Sequence, residues 1–124
     1  MPLENNYISD IKEILSHRYD NGGDYWTTLD KRLLKGAPFT TIERPLYLLE
    51  LGVSADDPVM KGTADLIFST WKEDGRFKIF PTGAIYPCHT AESARTLYYM
   101  GYANDSRIEA TFQYLLNTQY MDGG

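Results

Sequence analysis

The sequence predicts an all-α domain of helical hairpins that repeat along the chain. Three observations carry this: a recurring segment, a helical apolar period inside it, and a composition able to fold. Pro38-Phe39-Thr40-Thr41-Ile42-Glu43 lies over Pro87-Cys88-His89-Thr90-Ala91-Glu92, with Pro, the second Thr and Glu coincident. At the same offset Leu48 meets Leu97 and Gly52 meets Gly101. After a slip in the connection, Asp57 meets Asp105, Met60 meets Ile108, Thr63 meets Thr111, Ile67-Phe68 meets Leu115-Leu116 and Thr70 meets Thr118. Asp74-Gly75 then falls on Asp122-Gly123. A third, partial copy sets Ile14-Leu15-Ser16-His17 on Ile67-Phe68-Ser69-Thr70 and Asn21-Gly22-Gly23 on the Asp-Gly turns. A fixed period of this kind marks repeat architectures, because each unit is one supersecondary element stacked on its neighbours.

Taken in order, Ile8, Ile11, Ile14 and Leu15 predict an amphipathic helix with Ser9 or Asp10 as its cap. Residues 26–36 read as a connection with a short helix through Leu29, Leu33 and Leu34. Thr41 to Leu51 and Thr90 to Met100 are apolar over most of their circumference and predict buried helices of about three turns. Each has a Thr at the expected N-cap, a Glu expected in the first turn and a Gly just past the end. Pro45 conflicts with a start at Thr41, because it would fall where its missing N–H costs a bond. Asp56-Asp57-Pro58 and Asn104-Asp105-Ser106 supply caps for the helices that follow. In those helices Met60, Thr63, Ala64, Ile67, Phe68 and Trp71, and Ile108, Thr111, Phe112, Leu115 and Leu116, keep the steps of one helical face. The result is a single domain over 1–124 with partial units 8–26, 38–77 and 87–124.

Composition narrows the function. The 124 residues hold one small domain, 43% apolar and 23% charged, an ordinary folding mixture. A net charge of −5 and a pI near 4.9 argue against a nucleic-acid surface, which needs a basic patch. No apolar run approaches the roughly 20 residues that cross a bilayer, so no transmembrane segment is expected. Residues 1–6 lack a signal-peptide pattern, which makes a cytoplasmic location the default expectation. A lone cysteine, Cys88, excludes an internal disulfide framework and a multi-cysteine zinc cluster. The aromatic share of 14%, with 10 Tyr, is the outlier.

A helix ending Leu115-Leu116-Asn117-Thr118-Gln119 and running into Tyr120-Met121-Asp122-Gly123-Gly124 resembles the repeat of squalene and terpenoid cyclases and protein prenyltransferase β-subunits. The link Met100-Gly101-Tyr102-Ala103-Asn104-Asp105-Ser106-Arg107-Ile108 is similar to that family's connection between paired helices. The resemblance spans about residues 8–124 and is best over 87–124. It implies an α/α toroid in which about six hairpins of about 48 residues close a ring, first helices inside and amphipathic ones outside. This chain holds about two and a half units, so an incomplete ring and a fragment of a longer protein are expected. The resemblance further implies that the parent binds an apolar isoprenoid and cyclises or transfers it, this piece being inactive alone. An open stack should expose an apolar edge and could form a homodimer through it.

The candidate chemistry is sparse. Asp56-Asp57 superficially resembles the Asp-rich acid motif of class II terpene cyclases, but the Asp-x-Asp-Asp pattern is absent and capping is the plainer role. Cys88-His89 begins a helix whose dipole favours thiolate, and the family uses Cys and His as zinc ligands. Adjacent residues rarely reach one metal and no second Cys completes a set, so these are weak candidates and no cofactor is evident. Tyr47, Tyr98 and Tyr99 on the inner helices could line a cavity and stabilise cations or stack on sugars. Glu43 and Glu92, at equivalent positions, could act as acid and base if they face that cavity. Two rival functions stay open: a non-catalytic helical-repeat binding module, and a sugar-active α/α barrel with paired carboxylates across a groove.

Overall fold

The computed structural model describes residues 2–34 and 40–121. Within these the chain is all-helical: α1 (Pro2–Ser16), α2 (Arg44–Glu50), α3 (Pro58–Phe68), α4 (Pro87–Leu97) and α5 (Ser106–Met121). The only extended pairing among the described residues is two isolated bridges, Gly22 with Thr28 and Trp71 with Phe77. Pro38-Phe39 and the Asp122-Gly123 turn lie outside the described residues.

Residues matched in the sequence make matched bonds. Asp57 precedes α3 and its carboxylate accepts the Val59 N–H at 3.0 Å; Asp105 precedes α5 and accepts the Arg107 N–H at 2.9 Å. Both satisfy one of the four orphan donors of a helix start. Thr63 donates to the Val59 carbonyl at 2.7 Å and Thr111 to the Arg107 carbonyl at 3.0 Å. Gly52 and Gly101 follow α2 and α4 at φ 100° and 107°, a left-handed conformation that a Cβ disfavours. Beyond Leu97, α4 widens into a π-type turn over Tyr98–Tyr102, inside which Gly101 leaves the helical conformation.

The helices α2 and α4 differ from expectation at their starts. Thr41 and Thr90 do not cap. The α2 helix begins at Arg44 after Glu43, which makes no side-chain cap bond, and Pro45 sits in the first turn where its missing N–H costs nothing. Buried Thr41 instead donates to the Tyr25 carbonyl at 2.6 Å. The α4 helix begins at Pro87, and Thr90, inside it, accepts the Phe77 N–H at 3.1 Å. Each hydroxyl satisfies a polar group of the preceding loop, and a buried backbone group left unpaired costs more than a missing cap. Neither helix has an acidic residue in its first turn, so Glu43 and Glu92 are not the expected dipole partners. With 7 residues, α2 is two turns long, not three.

Other expectations are corrected as well. The α1 helix already runs from Pro2, so Ser9 and Asp10 lie inside it and cap nothing. Residues 26–34 form turns, not a short helix; Leu33 is buried while Leu29 is exposed. Trp71 lies beyond α3 and its indole N–H donates to Thr111 of α5 at 3.2 Å. The helices α2 and α4 are buried on one side only: Leu48, Ala94, Thr96 and Leu97 are buried, while Tyr47, Glu50, Glu92 and Arg95 are exposed.

The core joins Leu48, Met60, Ile67, Phe77, Ile79, Leu97 and Ile108. The α4 helix packs on α5 and α3, and α2 packs on the π-type turn. Loop backbones are tied together: Leu33 donates to Ile79, Ile42 to Leu33, and the Thr96 hydroxyl to the Ile42 carbonyl at 2.9 Å. That last bond sets α4 beside the residues leading into α2.

Candidate functional site: the cleft between α2 and α4

The exposed sides of α2 and α4 frame a cleft of about 390 Å³ lined by Ile42, Glu43, Leu46, Tyr47, Glu50, Glu92, Arg95 and Thr96. It continues into a depression of about 350 Å³ that shares Leu46, Glu50 and Arg95 and adds Leu49 and Tyr99. Helical spacing explains the lining. Glu43, Leu46, Tyr47 and Glu50 lie along one stripe of α2, and Glu92, Arg95, Thr96 and Tyr99 along one stripe of α4 and its π-type extension. Ile42, Leu46 and Leu49 give an apolar floor; three carboxylates, one guanidinium and two tyrosines stand around it.

The structure thus brings Glu43, Tyr47, Glu92 and Tyr99 to one surface. It places Tyr98 elsewhere, against Phe112 of α5 at 6.0 Å between ring centres and edge-on to Tyr99 at 5.6 Å. Sequence reasoning missed Glu50 and Arg95. The signal was available: each continues the stripe that begins at Glu43 or Glu92. The Arg95 guanidinium lies 5.7 Å from the Tyr99 ring centre, and among the described residues it enters no ion pair with Glu50 or Glu92. On the α1 side, Arg44 stacks 4.2 Å over Tyr47 and is 3.9 Å from Glu43. That face of Tyr47 borders a third depression, which includes Asp10 and Glu13 of α1.

Cys88 and His89 lie apart from this cleft. Cys88 is exposed, and the His89 ring packs between Phe80 and Tyr86 with centres 5.3 and 5.4 Å away. Among the described residues no group of three or more His, Cys, Asp and Glu side chains could hold a metal ion. Asp57 caps α3, while Asp56 is exposed 3.9 Å from Lys61. Neither Asp lines the cleft.

His17 has a different setting. Its ring nitrogens meet the Asp20 and Glu13 carboxylates just beyond α1. The bond to Asp20, then that to Glu13, raises its pKa above the ordinary histidine value. At the start of α5, hydrogen bonds from Arg107 hold Asp105 below the usual carboxylate range.

No helix among the described residues is long and apolar enough to cross a membrane. Comparison with family models, curated proteins and solved structures finds no match to this chain.

Proposed function

We propose that this chain is a section of an α/α-repeat ring resembling those of terpenoid cyclases and protein prenyltransferases. The α2–α4 cleft is then a stretch of the wall facing the ligand. The parent protein handles an isoprenoid, and this section by itself turns nothing over. The observation that carries the reading is the shared orientation of two helices matched in the sequence: α2 and α4 bury one side and present Glu43, Tyr47, Glu92 and Tyr99 on a common cleft. The helices α3 and α5 differ in burial at the positions matched in the sequence. Ala64, Ile67 and Phe68 of α3 are buried, whereas their α5 counterparts Phe112, Leu115 and Leu116 are not. Phe68 is 7% exposed and Leu116 53%. Tyr102 and Arg107 of the connection before α5 lie against Phe68.

Titration with farnesol, followed by tyrosine fluorescence, tests the reading. Saturable binding that weakens about tenfold in a Tyr47→Ala, Tyr99→Ala double variant is expected. Binding that is absent, or unchanged in that variant, contradicts it.

A further inference from the structure

From Ala110 to Met121 the sequence holds no Asp, Glu, Lys, Arg or His, in a chain of net charge −5. Phe112 and Leu116, one helical turn apart on α5 within that stretch, are exposed. Exposed Tyr98 stands against Phe112, 6.0 Å between ring centres. Gln113 and Asn117, both exposed, flank the stripe, and the Gln113 amide donates to the Asn117 side-chain carbonyl at 3.1 Å. Exposed apolar residues elsewhere sit among charges. Tyr7 and Ile8 of α1 neighbour Asp10, Lys12 and Glu13, and the cleft floor lies among Glu43, Glu50, Glu92 and Arg95, with Arg44 3.9 Å from Glu43. Interface cores are depleted in charge and enriched in aromatic residues, and the α5 face has that composition.

Charge also says what covers this face. Two copies of an acidic chain repel where carboxylates meet carboxylates, and α5 is where they approach without that cost. Side-chain amides both donate and accept, so Gln113 and Asn117 pair with copies of themselves. The lack of Lys and Arg makes the face a poor match for an anionic lipid surface. We propose that α5 binds a second copy of this chain, the two helices antiparallel about a two-fold axis midway between Phe112 and Leu116. Phe112 of each copy then meets Leu116 of the other. Glu109 sets the direction: antiparallel helices hold the two Glu109 carboxylates about 15 Å apart along the axis, whereas parallel ones set them side by side. Such a contact is the same patch on both copies and closes at two, while an α5 face entering the α2–α4 cleft of the next copy would grow without end. The inference is independent of the ligand-facing reading, because no α5 residue lines that cleft.

Sedimentation equilibrium on the whole chain, at concentrations up to about 1 mM, tests the proposal. A monomer–dimer equilibrium with no larger species is expected. Raising the salt should leave the dimer unchanged or tighten it, because screening removes repulsion and no charge pair crosses the contact. Phe112→Lys should weaken the dimer at least about tenfold. Leu116→Lys, at the more exposed position, should do the same, which covers the case in which losing the Tyr98 contact unfolds the first variant. A Tyr7→Lys, Ile8→Lys double variant on α1 should leave the dimer within about twofold. The inference is overturned by a chain that stays monomeric, grows past the dimer or dissociates as salt rises. It is equally overturned if both α5 substitutions are without effect, or if the α1 variant weakens the dimer as much as they do. Farnesol binding at the cleft is read separately, so the failure of either proposal leaves the other standing.

Discussion

Gly62 and His17 show how single residues fix this structure. A Cβ at Gly62 would lie 2.0 Å from the Tyr25 hydroxyl, because the Tyr25 ring crosses α3 there. Gly62→Ala should therefore cost about 1–3 kcal/mol by overpacking, read as a lowered denaturation midpoint. An unchanged midpoint would mean that the ring does not lie on α3. His17 titrates differently. Its folded pKa is raised by Asp20 and Glu13, so its contribution is fully present below the unfolded value and is lost as pH rises through the folded one. Melting curves from about pH 5 to about pH 9 should show the chain losing stability relative to His17→Gln as the histidine deprotonates. Parallel curves would count against the clamp.

The helices show what local sequence can and cannot convey. Asp57 and Asp105 were legible as caps because an Asx residue before a Pro or Ser and an apolar period acts within a few residues. Asp57→Ala should cost about 1 kcal/mol, measurable by urea denaturation, with a Ser replacement restoring most of it. Thr41 and Thr90 were misread because their partners, the Tyr25 carbonyl and the Phe77 N–H, come from loops that no helical pattern reveals. Thr90→Val keeps the shape but leaves the buried Phe77 N–H unpaired. It should cost about 1–3 kcal/mol, more than Thr90→Ser, and equal costs would contradict the bond. The cleft was half legible. Glu43, Tyr47, Glu92 and Tyr99 were found by position on the inner helices, whereas Glu50 and Arg95 needed the stripes to be followed to their ends. Tyr98 fails for geometric reasons, since the widened turn that begins there directs it to α5.

At the scale of the molecule, the contrast between α3 and α5 is the informative feature. Tyr25 lies on α3 at Gly62 and Trp71 bonds Thr111 on α5, while the difference in exposure at the matched positions goes with Tyr102 and Arg107, which lie against Phe68 of α3. Phe112 and Leu116 are left as an apolar edge with Tyr98 beside them. Sedimentation should show this chain self-associating at high concentration, and Leu116→Lys should return it to the monomer without lowering its melting temperature. A monomer throughout, or association indifferent to that change, would remove the edge from the account. The all-helical class was legible, as were the Asp57 and Asp105 caps and the positive-φ glycines Gly52 and Gly101. The direction in which the units stack was not, because it depends on which loop side chains cross to the next helix.

The central claim is that α2 and α4 act together as a ligand-facing wall. Mapping the amide resonances that move on adding farnesol tests it most directly. Shifts clustered at residues 42–50 and 92–99 are predicted. Shifts confined to the α5 edge around residues 112–116, or none at all, would contradict it.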